Sequence, residues 1–231
     1  MKKIAISQPN YIPWKGVFDL INQVDVFVFL EDVQYTKADW RSRNKIITDN
    51  GTKWLSVPVN SKGKYHQMIY EAEICRKTDW QQQHFNLFRR YYRKAKYFYD
   101  YEWLLEDFYK AKSWNHISDF NMYSTKTIAN LLNIKTEFIS SLTLNCSGTK
   151  DDKLISICKK AGADYYLSGP AARNYIIPEK FEKENIQLKY MQYIYPDYEQ
   201  VFQPFDHYVT VLDLIFNCGE NAAYYIWGWR G

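Results

Sequence analysis

The stretch Ile4 to Ile21, IAISQPNYIPWKGVFDLI, decides the fold because it joins a strand pattern to a helix pattern. Residues 4–6 form a short apolar run typical of a buried strand, and the apolar residues of 17–21 recur at helical spacing. Pro9 and Pro13 fix their own φ angles and push the preceding residues toward extended conformations, so the loop between has few shapes open to it. The stretch therefore predicts a strand, a stiff loop and a helix.

The loop QPNYIPWKG, residues 8–16, has two interpretations. A rigid connection into a helix N-terminus is a common place to bind a phosphate or carboxylate, because free N–H groups and the positive end of the helix dipole meet there. In that interpretation, Gly16 lets the backbone come close to a ligand. In the other, the loop is a proline-stiffened turn whose Tyr11 and Trp14 cap the core. The stretch alone does not choose between them.

A second strand follows the first helix closely. VDVFVFLEDVQY reads as a buried strand from Val24 to Leu30, with the polar segment EDVQY, residues 31–35, beginning just beyond its carboxyl end. Strand, helix and strand in this order predict a parallel βαβ unit, and parallel sheets bind ligands outside the carboxyl ends of their strands. We therefore expect the opening loop and EDVQY to lie at the same edge of the sheet.

The middle of the chain predicts a hairpin and helices. Residues 40–59, WRSRNKIITDNGTKWLSVPV, look like a β-hairpin that turns at Asn50 and Gly51. Residues 80–112 are strongly helical and crowded with aromatics, at a spacing that favours core packing over a ligand platform. A further helix is expected from about Asp119 to Leu132, followed by a strand from Ile134 to Ser141.

The last third predicts a second αβ unit. Thr149 can cap a helix that Gly162 ends, and a strand over residues 164–167 follows. The next loop, SGPAARNY, repeats the chemistry of the first loop with small residues and the cation Arg173. The tail adds a strand and a helix that carries Asp213 and Asn217 one turn apart on one face.

These elements together predict an α/β fold: a Rossmann-like parallel sheet flanked by helices, with an inserted hairpin and an aromatic-rich helical segment. We expect a single domain over residues 1–231, with a helical insertion at about 78–135. The strands around 4–6, 26–29 and 165–167 should be parallel neighbours or near neighbours in one sheet.

Composition limits the partners and the compartment. The net charge of +4 is modest and the charges alternate in sign, so no nucleic-acid partner is indicated. The four cysteines are widely spaced, which favours a reduced, cytoplasmic protein, and no run reaches membrane-spanning length, so we expect no membrane insertion. The four histidines show no metal-binding spacing, and we assign no metal. A homodimer remains an option.

Several separated motifs resemble the WbqC-like family over most of the chain: the opening residues, EDVQYTKADWRSRNK, LSGPAARNY and LDLIFNCG. The family start is His-Gln-Pro-Asn-Tyr-x-Pro-Trp-x-Gly, and here Ser7 stands in its first place. Serine can hydrogen-bond but cannot titrate near neutral pH. The resemblance implies a transferase of O-antigen-type polysaccharide biosynthesis. It would transfer a small acyl or aminoacyl group, such as glycyl, to an amino sugar or similar amine on a nucleotide sugar.

The order of the elements is also similar to the nucleotidylyltransferase superfamily, especially pantothenate synthetases. Those proteins carry His-x-Gly-His in the first loop, whereas the corresponding stretch here, Trp14-Lys15-Gly16-Val17, has neither histidine. The resemblance implies that a nucleotide or nucleotide-linked substrate could bind in the same crevice, without the usual adenylate chemistry. A degenerate nucleotidylyltransferase is therefore one alternative, and a non-catalytic nucleotide or nucleotide-sugar binding protein is another.

The candidate site combines these motifs with the strand-end positions. Glu31 and Asp32 are adjacent, and either could be the general base for an attacking amine, although a strand-end acid more often caps a helix or turn. We select Asp32, with Ser7 as the second candidate catalytic residue. Gln8, Asn10, Tyr11, Asp32, Gln34, Ser168 and Arg173 are expected to line one concave pocket. The residues expected to bind substrate are Gln8, Asn10, Tyr11, Trp14, Gly16, Gln34, Tyr35, Lys37, Arg43, Asn44, Ser168, Gly169, Arg173, Asp213 and Asn217. No cofactor is assigned beyond a nucleotide or nucleotide-linked substrate, and the sequence does not identify the donor.

Overall fold

The computed structural model describes residues 1–231 and contains one five-stranded parallel sheet and a separate hairpin. The sheet strands are β1 (Lys3–Ser7), β2 (Val26–Phe29), β5 (Glu137–Ser140), β6 (Tyr165–Ser168) and β7 (Gln187–Tyr190), and the hairpin strands are β3 (Arg43–Thr48) and β4 (Gly51–Ser56). The helices are α1 (Lys15–Asn22), α2 (Trp80–Tyr92), α3 (Phe98–Tyr101), α4 (Trp103–Tyr109), α5 (Ile117–Leu131), α6 (Ser141–Leu144), α7 (Lys150–Lys160), α8 (Pro178–Lys183) and α9 (Val211–Cys218).

The strand order β5-β2-β1-β6-β7 places β1 at the centre of the sheet. All four strand pairs are parallel, so the predicted α/β class and the parallel arrangement of the three named strands are confirmed. The chain leaves β1 toward β2 on one side and later returns to β6 on the other. This reversal makes the carboxyl ends of β1 and β6 a topological switch point, where a crevice opens between the connections.

Side chains of the sheet alternate between two apolar cores, because successive residues of a strand face opposite sides. Ala5, Phe27 and Phe29 belong to a larger core that also contains the buried faces of α1, α2, α5 and α9. The intervening residues, such as Ile4 and Val26, belong to a smaller core with α7 and α8. Helices thus cover both faces, as a Rossmann-like sheet requires.

The helical segment predicted over residues 80–112 is interrupted between α2 and α3. The break lies at residues 93–97, where the N–H of Tyr97 donates to the carbonyl of Phe216 in α9 at 2.9 Å. The Tyr97 ring also packs against Gly219, where an added Cβ would lie 2.7 Å from the ring. A contact with a distant helix end therefore divides a segment whose local sequence favours a continuous helix.

The hairpin forms as predicted, but its turn is shifted by one residue. Thr48 pairs with Gly51, so the two loop residues are Asp49 and Asn50, and Gly51 begins β4 with a φ of 86°. The Thr48 hydroxyl closes the turn, accepting from the N–H of Asn50 at 3.2 Å and donating to the carbonyl of Gly51 at 2.6 Å. None of the helices has the length and apolarity needed to cross a lipid bilayer.

Candidate functional site

A cavity of about 680 Å³ lies at the switch point between β1 and β6. Five residues predicted to act in the site line it: Ser7, Gln8, Asn10, Ser168 and Gly169. They come from the ends of the two strands and from the loops that follow. The predicted convergence of the opening loop and SGPAAR at one edge of the sheet is therefore found, and the volume is in the range typical of small-molecule sites.

The charged side chains that line this cavity are all cationic: Arg41, Lys150 and Lys153. Lys153 pairs with Asp32 at 2.6 Å and Arg41 pairs with Asp39 at 2.9 Å, whereas Lys150 has no ion pair. Lys150 is exposed and is the first residue of α7, so the positive end of the helix dipole adds to its charge. The cavity therefore favours an anionic ligand.

The acidic residues in the first turn of α7 are engaged outside the cavity. Asp151 is buried and accepts from the N–H of Ile177 at 3.2 Å, and Asp152 pairs with Lys180 at 2.8 Å. Neither carboxylate lines the cavity. These two carboxylates offset the positive end of α7, so the cationic charge at this side of the cavity comes from the lysine side chains.

Several polar groups of the cavity wall lack a strong partner within the protein. The Oε1 of Gln8 and the Nε of Arg41 are buried without a hydrogen bond. The Ser7 hydroxyl contacts only the Gln8 carbonyl, at a long 3.4 Å. Gln8 Oε1 and Arg41 Nε have almost no accessible surface, so of these groups the weakly bonded Ser7 hydroxyl is the one that a ligand in the cavity can reach.

The opening loop is fixed in place by buried amides. Asn121, on α5, donates from Nδ2 to the carbonyls of Pro9 at 3.0 Å and Arg41 at 2.8 Å. Asn44 donates from Nδ2 to the carbonyl of Ile12 at 2.7 Å. Ile12 has a φ of 31°, a strained value for a β-branched residue, and these contacts hold it there. The loop is therefore rigid before any ligand arrives.

Tyr11 does not line the cavity, because its side chain is directed into the core. Its hydroxyl hydrogen-bonds to Nδ1 of His84 at 2.7 Å and to the hydroxyl of Tyr109 at 2.5 Å. Burial raises the pKa of Tyr11 and lowers the pKa of His84 to about 4, so both side chains are neutral. Tyr11 anchors the loop to the aromatic helices, which agrees with the interpretation of this loop as a turn whose Tyr11 caps the core.

Trp14 and Gly16 act together beside the main cavity. Trp14 lines a smaller adjacent cavity, and an added Cβ at Gly16 would lie only 2.3 Å from its indole ring. Gly16 therefore makes room for Trp14 and not directly for a ligand. The sequence predicts that Gly16 lets the backbone approach a ligand, but in the structure the Trp14 indole occupies the space beside Gly16.

Of the EDVQY segment, only Val33 lines the cavity, whereas Asp32 and Gln34 lie outside its wall. Asp32 accepts from the Ser141 hydroxyl at 2.6 Å and from Lys153, which does line the cavity. Gln34 donates to the carbonyl of Tyr65 at 2.7 Å, and Tyr35 is buried. Lys37 is exposed and absent from the wall of the cavity.

The remaining predicted residues are dispersed. Arg43 stacks over Trp54 at 4.3 Å, and Arg173 is exposed and stacks over Tyr190 at 4.9 Å, outside the cavity wall. Asn44 uses its amide to hold the loop and borders only the smaller cavity. The structure also confirms the shared face of Asp213 and Asn217, whose side chain donates to the Asp213 carbonyl at 2.8 Å.

Asp213 lies in the core of the protein and not in the cavity. Its carboxylate accepts from the hydroxyls of Tyr92 at 2.8 Å and Tyr198 at 2.7 Å, and from Nε2 of Gln200 at 2.9 Å. Burial nevertheless raises the pKa of Asp213. The network joins α2, α9 and the segment before α9, so it stabilises the fold.

Several residues of the cavity wall are not among the predicted site residues: Trp40, Lys150, Lys153, Tyr193, and Arg41, whose position in the sequence is equally compatible with binding a pyrophosphate and with a solvated hairpin edge. A signal was present for two of them, because SGTKDDK places a glycine and two lysines at the start of a helix, a pattern suited to anions. The others come from segments far apart in the chain. Only the folded arrangement brings them to one wall.

The fold and the cavity define a Rossmann-like α/β protein with a cationic pocket at the carboxyl edge of its sheet. The chain belongs to the WbqC-like protein family, whose model matches residues 8–225. That family is associated with proteins of glycan biosynthesis. The chain is 39% identical over 227 residues to the uncharacterized protein Rv1507c of Mycobacterium tuberculosis, a match that covers 98% of each chain. No solved structure shows significant similarity.

Proposed function

We propose that the protein binds a nucleotide sugar in the 680 Å³ cavity and transfers a small acyl or aminoacyl group, such as glycyl, to an amine on the sugar. The observation that carries the binding is the wall itself, with three cations and no carboxylate at the carboxyl edge of the parallel sheet. The membership of a family associated with glycan biosynthesis supports the choice of a sugar-linked ligand.

The phosphates are assigned to the Lys150 and Lys153 side of the cavity. Lys150 offers an unpaired ammonium group and the first turn of α7 offers free backbone N–H groups. Gly169 follows β6 on the opposite wall and leaves space for close backbone approach, since an added Cβ would meet only the Tyr193 hydroxyl, at 3.8 Å.

The transfer step needs a group that removes a proton from the attacking amine as the new C–N bond forms. Asp32 is assigned as the acceptor of this proton, and because it lies behind the cavity wall and is paired with Lys153, it can act only when that ion pair opens toward the cavity. Ser7, which lines the cavity, is assigned to orient the amine. The donor's leaving group departs when the tetrahedral intermediate collapses.

The main alternative is a non-catalytic nucleotide-sugar binding protein. Asp32 already accepts hydrogen bonds from Ser141 and Lys153, and no histidine lines the cavity, which favours binding without transfer. Both candidates require the same ligand class, so product formation separates them.

The test is isothermal titration calorimetry with UDP and UDP-linked or dTDP-linked amino sugars, followed by mass spectrometry after addition of an activated glycyl donor. We expect Lys150→Ala to weaken binding about tenfold or more, because a charge-assisted hydrogen bond contributes about 1.5 to 3 kcal/mol. Lys183→Ala is the matched control, since Lys183 is an exposed lysine without an ion pair on α8. Equal affinities for the two variants would overturn the phosphate assignment, and binding without a mass increase on the sugar would select the alternative.

A further inference from the structure

A second, smaller cavity of about 220 Å³ opens beside the first. Asn10, Val17 and Trp40 line both cavities, so the two cavities are adjacent and share part of their walls. The residues that line only the smaller one are Pro13, Trp14, Asn44 and Tyr208. We name this smaller cavity the aromatic slot.

We infer that the aromatic slot binds the nucleobase of the nucleotide-linked ligand, with the phosphates at Lys150 and Lys153 in the main cavity. This inference rests on the proposed function, because it assigns a subsite within the same ligand-binding space. Beyond the proposed function, it specifies that the ligand carries an uncharged planar ring, and it names the side chains that contact this ring.

The chemistry of the slot favours an uncharged planar ring. None of the side chains that line it is charged, and three of them are the aromatic rings of Trp14, Trp40 and Tyr208. Every nucleobase has a π face that stacks on such rings, whereas a phosphate would gain nothing from them. The slot has about one third of the volume of the main cavity, which suits one ring and not a whole nucleotide sugar.

The walls of the slot are held in position before a ligand binds. Trp14 makes edge contacts with Tyr193 at 5.0 Å and Tyr195 at 5.9 Å, and its ring centre lies 5.2 Å from that of Tyr208. Any side chain at position 16 would displace the indole, as its Cβ would lie within 2.7 Å of three ring atoms. The strained Ile12 precedes Pro13, another wall residue, so the backbone is also constrained here.

One polar side chain of the slot is free to recognise base edges. The Asn44 amide is already committed, donating to the carbonyl of Ile12 and accepting from the N–H of Lys45 at 2.8 Å. Asn10 lies where the slot meets the main cavity, and its amide can both donate and accept. It is therefore placed to contact the base or the ribose that joins it to the phosphates.

The experiment compares three probes by calorimetry: uridine, which has the ring without phosphate, inorganic pyrophosphate, which has phosphate without a ring, and UDP, which has both. The test variant is Tyr208→Ala, because Tyr208 is 59% exposed and its loss should leave folding intact. Tyr224→Ala is the matched control, since Tyr224 is 53% exposed and lines neither cavity. Thermal melts of all variants check that each one is folded.

We expect Tyr208→Ala to weaken uridine and UDP binding about tenfold, the effect of losing one stacking partner, and to leave pyrophosphate binding unchanged. Lys150→Ala should show the reverse selectivity, weakening pyrophosphate and UDP but not uridine. If UDP binds no tighter than pyrophosphate, or Tyr208→Ala binds UDP as the unaltered protein does, the slot assignment is overturned while the phosphate site stands. If none of the phosphate-bearing probes binds, the proposed function itself is overturned.

Discussion

Lys15 is a buried lysine whose ammonium group lies beside His207 and between two tyrosine rings. Its Nζ lies 2.9 Å from Nδ1 of His207 and about equally far from the rings of Tyr195 and Tyr198, at 5.0 and 4.8 Å from their centres. His207 in turn lies 3.0 Å from Asp197 through Nε2. The sequence shows this lysine only as one letter of QPNYIPWKG, because its partners lie some 180 residues away.

The burial of Lys15 predicts a pH dependence of stability. Burial lowers the pKa of Lys15 to about 8, from 10.5 in its ordinary state, so above pH 8 the unfolded chain binds more protons than the folded one. The lysine's contribution to the free energy of unfolding should therefore rise with pH from about 8 toward 10.5. Burial also raises the pKa values of the Cys158 and Cys218 thiols to about 12. Above pH 8.5 to 9, the unfolded chain loses these protons first, so the thiols make the free energy of unfolding fall as the pH rises.

Comparison with Lys15→Met cancels the contribution of Cys158, because both proteins carry this thiol, and reduces that of Cys218 to its electrostatic coupling with Lys15. Between pH 7.5 and 9.5, we expect the stability of the unaltered protein relative to Lys15→Met to increase by about 1 to 2 kcal/mol. Urea unfolding at each pH measures it. Parallel pH curves for the two proteins would show that Lys15 keeps an ordinary pKa in the fold.

At the scale of elements, α7 combines a start that carries Lys150 and Lys153 with a defined end. Thr149 precedes the helix as predicted, yet its hydroxyl makes no capping bond, which leaves the first-turn N–H groups free beside the cavity. At the other end, the N–H of Gly162 donates to the Lys159 carbonyl and that of Ala163 donates to the Cys158 carbonyl. This is a Schellman motif, with Gly162 at a φ of 66°.

The end of α7 supplies a stability prediction. Gly162→Ala should lower the free energy of unfolding by about 1 kcal/mol, because a Cβ disfavours the left-handed conformation while the space around it is open. Gly162→Asn is the control, and it should cost less because asparagine tolerates this conformation. Chemical denaturation measures both, and equal stability of the glycine and alanine proteins would contradict the prediction.

At the scale of the whole molecule, an ion pair joins the last turn of the chain to the first helix. Arg230 donates to both carboxylate oxygens of Asp19, at 2.9 and 2.6 Å, and the carboxylate is fully buried. Tyr195 and Gln23 add hydrogen bonds at 2.9 and 2.8 Å. Because α1 carries Trp14 at its start, this pair helps to hold the wall of the slot.

Breaking that pair should destabilise the fold strongly. Arg230→Gln leaves the Asp19 carboxylate buried without its cation, and we expect a loss of about 2 to 4 kcal/mol, since the arginine is partly exposed. Arg93→Gln is the control, as Arg93 is exposed and has no ion pair. Asp19→Asn combined with Arg230→Gln should recover part of the loss in urea unfolding. No difference between Arg230→Gln and Arg93→Gln would refute a stabilising role for the pair.

The sequence by itself determined the parallel α/β sheet, the hairpin and the meeting of the opening loop and the SGPAAR loop at the carboxyl edge of the sheet. These follow from local patterns: apolar runs set the strands, proline and glycine mark the loops, and alternation of strands with helices predicts parallel strands, whose following loops share one edge. The cavity wall contains five residues for which the sequence predicts a role in the site, Ser7, Gln8, Asn10, Ser168 and Gly169, and each lies within four residues of the end of a predicted strand.

Only the tertiary structure decided which side chains face that pocket. Tyr11 turns into the core because His84 and Tyr109 meet it there, and Asp32 lies behind the wall because Lys153 and Ser141 bind it. The helical segment breaks at residues 93–97 because the end of α9 packs against Tyr97. Such outcomes depend on packing and hydrogen bonds between segments distant in the chain, and these contacts leave no periodic or local signal in the sequence.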